Sequence, residues 1–264
     1  MQTDISIIII NFNTFQLTCN CIRSVIENTF EINYEIILVD NASTECDAEK
    51  FKVLFPKIHL IKSEINLGFS KGNNLGIKNS LSSVILLLNS DTLLKNNAIK
   101  ICFEYLNKGS NIGVVSSSLL YPDEKLQACC QAFPSIWLSF LEKTRLHKIL
   151  PSRLRAHIFY GSYFNHKEYA EPDWIWGTFF MFHRKIINDL QGCKLDDSFF
   201  MYMEDMMWCY DIRRIGYKIA YIPQAKVIHF MGSSSGKKEE FMKINFNKFL
   251  KRNYSLISYL ILKK

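Results

Sequence analysis

Three short stretches carry side chains whose types and spacing could do chemistry. In LLLNSDTLL, residues 86–94, an apolar run opens onto Asn89, Ser90 and Asp91 and then closes again into leucines. A carboxylate at the mouth of a buried strand loses hydration, which costs several kcal/mol unless something pairs with it. Asp91 can cap a helix, pair with a cationic side chain or ligate a metal ion, and the stretch alone leaves all three open. In FFMYMEDMMWCYDIRRIGY, residues 199–217, Glu204 and Asp205 stand side by side among methionines and aromatics. Adjacent helical positions point about 100° apart, so one carboxylate can face a cleft while the other caps or pairs with Arg213 or Arg214. Desolvation would raise a carboxyl pKa towards the range of a general base; an acidic helix start favoured by the macrodipole is the plainer explanation. In AKVIHFMGSSS, residues 225–235, His229 ends an apolar strand before a Gly/Ser loop. Such a histidine is either a ligand or a satisfied core residue.

Elements that could position these groups are legible in the hydrophobic pattern. Short apolar runs at 6–11, 35–40, 58–62 and 84–89 alternate with amphipathic stretches near 15–27, 48–54, 71–81 and 95–106. This is the pattern of βαβ units in an α/β fold with a mostly parallel central sheet and flanking helices. Three of the strands end in Asn11, Asp40 and Asn89, and ligands of open α/β sheets bind beyond the carboxyl ends of strands, so these residues should converge on one crevice. After the strand at 112–120, residues 121–173 mix proline, aromatics and basic residues without clear periodicity. They are expected to form a poorly ordered excursion that carries substrate specificity. Strand signals return in DWIWGTFFMFHR and YKIAYIP, separated by a helix that begins near Glu204 and has Gly216 as its C′ residue.

With 264 residues, 48% of them hydrophobic, the chain can bury a substantial core. The net charge of +7 favours phosphates or anionic lipid. No nucleic-acid-reading motif accompanies it, so nucleic acid is not expected as a partner. Eight cysteines without a CxxC pair read as reduced, mostly buried thiols in a cytoplasm, with the adjacent Cys129 and Cys130 as a redox candidate. The opening MQTDISIIII lacks a positive n-region and reads as a first strand, and no run of 18 apolar residues exists to span a membrane. The tail from Phe241 to Lys264 mixes large apolar residues with lysine and arginine. It reads equally as a docked terminal helix or as a helix at the inner face of the plasma membrane.

Six motifs in register, SIIIINFN, EIILVDNAST, NLGFSKGNNLGI, LLLNSDT, DWIWGTFFMFHR and FFMYMEDMMWCYDIRRIGYKIAYIPQAKVIH, resemble bacterial family 2 glycosyltransferases, in particular the rhamnosyltransferase-like branch. The similarity covers residues 4–235. It implies a GT-A fold at 1–235, with a nucleotide-sugar-binding half (1–120), an acceptor and catalytic half (121–235), and a basic amphipathic segment at 236–264. Carried over by motif, Asp40 would bond the nucleotide base. Asn11, Asn13, Asn41, Asn66, Gly68, Lys71, Asn73, Asn74, Asn89 and Ser90 would line the nucleotide pocket. Asp91 and His229 would hold a divalent cation, Mg2+ or Mn2+. Asp205 would be the catalytic base with Glu204 beside it, and Trp174, Trp176 and Gly177 would lie near the acceptor.

The resemblance further implies an inverting transfer of a sugar, rhamnose leading, from a dTDP- or UDP-sugar to a saccharide or its lipid-linked precursor. Relatives often carry Asn-Pro-Asp-Thr, or an acidic first position, where this chain has Asn89, Ser90, Asp91 and Thr92; Asn89 brings no charge, which predicts modest metal affinity. The rival reading is a protein of the same fold that binds nucleotide sugars without turnover; the presence of Asp91, Glu204, Asp205 and His229 together disfavours it. A dehydrogenase is poorer still, since no GxGxxG follows the first strand.

Overall fold

Runs of isoleucine and leucine with no polar face can be buried only if both sides of the sheet are covered. Such runs form β1 (Ile5–Asn11), β2 (Tyr34–Asn41) and β4 (Val84–Asn89), which with the edge strand β3 (His59–Ser63) pair in parallel with one another in the order β3-β2-β1-β4. The computed structural model describes residues 3–108, 111–231 and 238–263. The eight-stranded sheet has the order β3-β2-β1-β4-β9-β6-β10-β5, completed by β5 (Thr92–Leu94), β6 (Ile112–Leu120), β9 (Phe179–His183) and β10 (Lys218–His229). β9 runs antiparallel between β4 and β6, whereas β10 is parallel to β6. One core therefore runs through residues on both sides of position 120, and a nucleotide half and an acceptor half would be halves of function.

Alternation along the strands feeds two hydrophobic layers. Ile5, Ile7 and Ile9 of β1, with Leu86 and Leu88 of β4, pack beneath Ile22 and Val25 of α1 (Phe15–Asn28), Phe51 of α2 (Glu49–Leu54) and Ile99 of α4 (Ala98–Lys108). Ile8, Ile85 and Leu87 face the other way, against Ile77 of α3 (Gly68–Lys78), Ile186 of α7 (Lys185–Asp189) and Trp208 and Ile212 of α8 (Glu204–Arg214). The approach of α3 to β1 needs Gly76, because a Cβ there would lie 2.4 Å from Ile8 Cγ2.

Residues 121–173 are more ordered than their composition predicts. A hairpin turn at 121–125 leads back along β6, then come β7 (Cys130–Gln131), α5 (Ile136–Lys143) and α6 (Ser152–Phe159), and β7 pairs with β8 (Trp174–Ile175). Cys129 and Cys130 are buried with His166, their ligand atoms within 4.8 Å of one another. Both ring nitrogens of His166 are already bonded, Nδ1 to the Phe164 carbonyl at 2.8 Å and Nε2 to the Cys130 N–H at 3.2 Å. Burial pushes the Cys130 thiol well up, so this cluster fits a structural core and not a reactive pair.

The C-terminal segment docks. In α9 (Lys238–Asn253), Phe249 and Leu250 pack on Phe199, Met206 and Met207, joined by Leu262 of α10 (Leu256–Leu262). Asn245 donates to the carbonyls of Met201 and Tyr202, and Arg252 pairs with Asp196. Tyr254 Oη donates to the Pro134 carbonyl just before α5. The opposite face of α10 is left in solvent, with Leu256 72% and Ile257 70% exposed. Among the described residues no helix is long and apolar enough to cross a membrane.

Candidate active site

The carboxyl ends of the first strands converge as the pattern requires. Register places Asn11 opposite Asp40, and Ile10 opposite Asn89. Asn11 Nδ2 donates to Asp40 Oδ1 at 2.7 Å and to Ser43 Oγ at 2.9 Å, while Thr14 and Thr18 hydroxyls donate to Asn11 Oδ1. The amide is thereby consumed in holding Asp40, whose other oxygen accepts the Ser43 N–H. Asn13 Oδ1 accepts the N–H groups of Thr44 and Glu45 and so pins the loop after β2. These threonines and Ser43 were not singled out in the sequence, because a hydroxyl that serves another side chain leaves no periodic signal.

The next wall is the start of α3, three residues before its predicted beginning. Asn41 Oδ1 accepts the Leu67 N–H, and Asn66 Oδ1 accepts both the Gly68 N–H and a hydrogen from Asn41 Nδ2. These bonds satisfy N–H groups that a helix start leaves orphaned, so the helix can begin early. Gly68 is left-handed (φ +75°), and a Cβ there would lie 2.4 Å from the Phe200 carbonyl. Lys71 follows in the first turn, exposed. Asn73 and Asn74 turn inward: Asn73 donates to the Phe69 carbonyl, and Asn74 exchanges two bonds with the backbone of Leu195, 121 residues away.

Among the described residues Asp91 stands at no helix start. It lies between β4 and β5, a strand absent from the sequence expectation, and its carbonyl accepts the Phe230 N–H while Thr92 pairs with His229 across the antiparallel β5–β10 ladder. This pairing sets His229 Nε2 3.5 Å from Asp91 Oδ1, both side chains largely buried. Burial is the main influence on His229 and lowers its pKa, partly opposed by the Asp91 charge. His229 Nδ1 meets Gln127 Oε1 at 2.9 Å. Beside them, Ser90 Oγ contacts Thr14 Oγ1 at 3.3 Å, and Asn89 Oδ1 is buried without a hydrogen-bond partner. The His229 nitrogen and the Asp91 carboxylate, 3.5 Å apart, are an acceptor pair that fits a divalent cation. The Gly/Ser loop after His229, at 232–235, lies outside the described residues.

The second carboxylate pair begins α8. Two consecutive left-handed residues, Tyr202 (φ +68°) and Met203 (φ +69°), turn the chain into the helix. That geometry costs energy for non-glycine residues, and it is braced by the Asn245 bonds to the carbonyls of 201 and 202. Asp205 accepts the Gly177 N–H at 3.0 Å and the Met206 N–H at 2.8 Å. Desolvation nonetheless pushes Asp205 up to about 6. Glu204 is buried with Oε2 unpartnered, and burial together with the Asp205 charge pushes its pKa well up. Of the two, Glu204 is the carboxyl that burial and its neighbour's charge push further up. Neither meets Arg213 or Arg214 as the sequence suggested: Arg213 pairs with Asp173 at 3.3 Å and Arg214 lies over the Tyr210 ring. Those arginines lie in the last turn of α8, far along the axis from its first residues.

The segment 174–177 ties the two centres together. Trp176 packs edge-on against His229, ring centroids 6.5 Å apart, and the next residue, Gly177, holds Asp205. Trp174 is fixed from behind by its Nε1 bond to the Ala132 carbonyl. The Asp205 carboxyl and the Asp91–His229 pair are thus linked through two consecutive residues, Gly177 and Trp176.

The sequence model described as Glycosyl transferase family 2 matches residues 6–191. The chain belongs to that family. Among similar proteins is N-acetylglucosaminyl-diphospho-decaprenol L-rhamnosyltransferase of Mycobacterium tuberculosis, 21% identical over 76% of this chain and 68% of that protein. Another is the low-salt glycan biosynthesis hexosyltransferase Agl10 of Haloferax volcanii, 26% identical over 87% of this chain and 68% of that protein. Glycosyltransferase GlyG of Streptococcus pneumoniae is 28% identical over 41% of this chain, which spans 36% of its length. The crystal structure of GalNAc-T7 with UDP, GalNAc and Mn2+ superposes with a TM-score of 0.68 at 14% identity, covering 95% of this chain and 48% of that one. The fold of this family 2 glycosyltransferase is therefore GT-A, and the rhamnosyltransferase-like resemblance of its motifs is matched by its relatives.

Proposed function

We propose that the protein transfers a sugar with inversion from a nucleoside-diphosphate donor to a hydroxyl of a saccharide acceptor. The observation that carries this reading is the Asp91–His229 pair, joined through Trp176 and the next residue, Gly177, to Asp205. The Asp40 carboxylate, held by Asn11 and Ser43, would accept hydrogen bonds from the base, and Asn13, Asn41, Asn66, Gly68, Lys71, Asn89 and Ser90 would border the nucleotide. Asn73 and Asn74 would act by shaping α3. Asp91 and His229 would hold Mg2+ or Mn2+, which when bound neutralises charge developing on the diphosphate. The acceptor oxygen attacks the anomeric carbon as Asp205 takes its proton; the bond to the diphosphate oxygen breaks, and the electron pair leaves with the nucleoside diphosphate. One base and one displacement give inversion. Glu204, the carboxyl pushed further up by burial and by the Asp205 charge, is the poorer candidate for that base.

A dTDP- or UDP-sugar is the proposed donor, and rhamnose the leading sugar, by analogy with the mycobacterial relative. Thermal shift against a panel of nucleotide sugars, with and without Mn2+, tests this, since a ligand of the folded state stabilises it by mass action. Product anomeric configuration read by proton NMR tests inversion; retention would exclude the single displacement.

A lipid-linked acceptor and a peripheral place at the inner face of the plasma membrane are the second part of the proposal. Support comes from exposed Leu256, Ile257, Leu260 and Ile261 on α10, beside exposed Ile136, Trp137 and Phe140 on the neighbouring α5. Lys248, Lys251 and Lys263 line a concavity next to them. Arg252 is excluded from the lipid-facing set because it pairs with Asp196, and Lys264 lies outside the described residues. Replacing Trp137, Leu256 and Ile257 by serine and Lys251 and Lys263 by glutamine is expected to abolish co-sedimentation with phosphatidylserine vesicles, since each basic residue near such a surface contributes about 1 kcal/mol. Transfer to a soluble acceptor should be nearly kept. Unchanged vesicle binding would show that this surface does not meet lipid.

A further inference from the structure

Gln127 lies in the segment after β6 whose sequence carries no clear periodicity, and nothing in its neighbourhood marks it out. The chain leaves β6 at Leu120, turns at 121–125 and returns so that Leu126 bridges Leu120 and the Gln127 N–H bonds the Leu119 carbonyl at 2.8 Å. This hairpin brings a side chain 102 residues distant against His229, and it leaves Gln127 only 1% exposed. Its amide makes three hydrogen bonds there. Nε2 donates to the His229 carbonyl at 2.8 Å and to the Leu120 carbonyl at 3.2 Å, while Oε1 meets His229 Nδ1 at 2.9 Å.

The orientation of that amide is set by chemistry. Two of its three partners are backbone carbonyls, which only accept; the NH2 group must face them, because a flipped amide would set its oxygen against both. Oε1 is then the group that meets the imidazole, and an oxygen acceptor requires a hydrogen on His229 Nδ1. In a neutral ring, the form that can ligate a cation, the single hydrogen is therefore on Nδ1 and Nε2 carries a lone pair. Nε2 is the atom that points at Asp91 Oδ1, 3.5 Å away. Without this constraint the ring could place its hydrogen on Nε2 and donate to Asp91, which would remove the ligand atom.

We propose that Gln127 is a positioning residue that fixes His229 as the Nδ1–H tautomer and thereby presents Nε2 as a ligand for a divalent cation shared with Asp91. The cation half rests on the function proposed above; the tautomer half stands on the hydrogen bonds alone. Partners of this kind set ligand orientation and basicity, and their loss typically costs about 10- to 100-fold in metal affinity.

The test uses the full chain labelled with 15N in its histidines, its imidazole signals read by long-range proton–nitrogen spectra without metal. His229 is assigned by the signals lost in His229→Ala. The parent is expected to show His229 with hydrogen on Nδ1. Gln127→Leu should move the population towards Nε2–H and weaken Mn2+ binding in the presence of UDP, measured by calorimetry, about 10- to 100-fold. Gln127→Glu, which when buried and protonated keeps an oxygen for Nδ1–H and a hydroxyl for one carbonyl, should keep the tautomer and most of the affinity. A parent spectrum with hydrogen on Nε2 overturns the proposal whether or not the variants fold. A Gln127→Leu protein that only melts earlier, with tautomer and Mn2+ affinity unchanged, overturns it as well. An Nδ1–H signal in a parent that binds no Mn2+ with UDP overturns the cation reading and leaves the tautomer assignment standing.

Discussion

Asp205→Asn is expected to lower kcat by a factor on the order of 10² to 10⁴, with donor affinity nearly kept, because the proposed general base is removed while the groups proposed to bind donor remain. Steady-state kinetics with donor and acceptor varied separately check it. Glu204→Gln is the control: it replaces the carboxyl that is not proposed as the base, so turnover should fall far less. A larger loss in that variant would move the base to Glu204. The pH profile follows from the same environment. With Asp205 pushed up to about 6 by desolvation, turnover should decline as pH falls through about 6, and this limb should be missing in Asp205→Asn. For stability the sign is opposite to that of a salt-bridged carboxylate. The raised pKa means that Asp205 favours the folded state in acid and that this contribution is lost as pH rises from 3.8 through about 6. Thermal unfolding of parent and Asp205→Asn across that window should show the parent losing stability relative to the variant.

Asp91→Asn is expected to abolish transfer and most Mn2+-dependent donor binding while the fold survives. The change keeps the shape of the side chain and removes the charge that faces His229. The Asp91 carbonyl still receives the Phe230 N–H, and the β5–β10 ladder does not use the side chain, so circular dichroism and melting should change little. Calorimetric titration of Mn2+ in the presence of UDP checks the binding. Affinity equal to the parent's would return Asp91 to a structural role.

The parts legible in the sequence are those governed by local pattern. β4 and β6 occupy the residues that their apolar runs predict, and Asn11, Asp40 and Asn89 meet because register in a parallel sheet aligns strand ends. Gly216 sits at φ +97° after α8, as a C′ glycine should. What escaped depends on partners distant in the chain. β5 is three residues long, and only its pairing with β10 makes it a strand. α3 starts early because Asn41 and Asn66, outside the helix, supply the acceptors. Residues 121–173 look irregular in sequence because β7 is a two-residue strand and α5 and α6 are two-turn helices, too short for periodicity to register. In the site, charged groups were found by their conspicuous settings. The neutral ones that orient them, Thr14, Thr18, Ser43 and Gln127, have compositions that say nothing until the fold brings them to Asn11 and His229.

The measurement that bears most directly on the central claim is release of nucleoside diphosphate from dTDP- and UDP-sugars by the purified chain, with Mn2+ or with EDTA, for the parent and Asp91→Asn. Slow release by the parent that requires Mn2+ and disappears in Asp91→Asn is the result expected of a metal-assisted glycosyltransferase. Release that survives EDTA, or that Asp91→Asn leaves intact, would contradict the account.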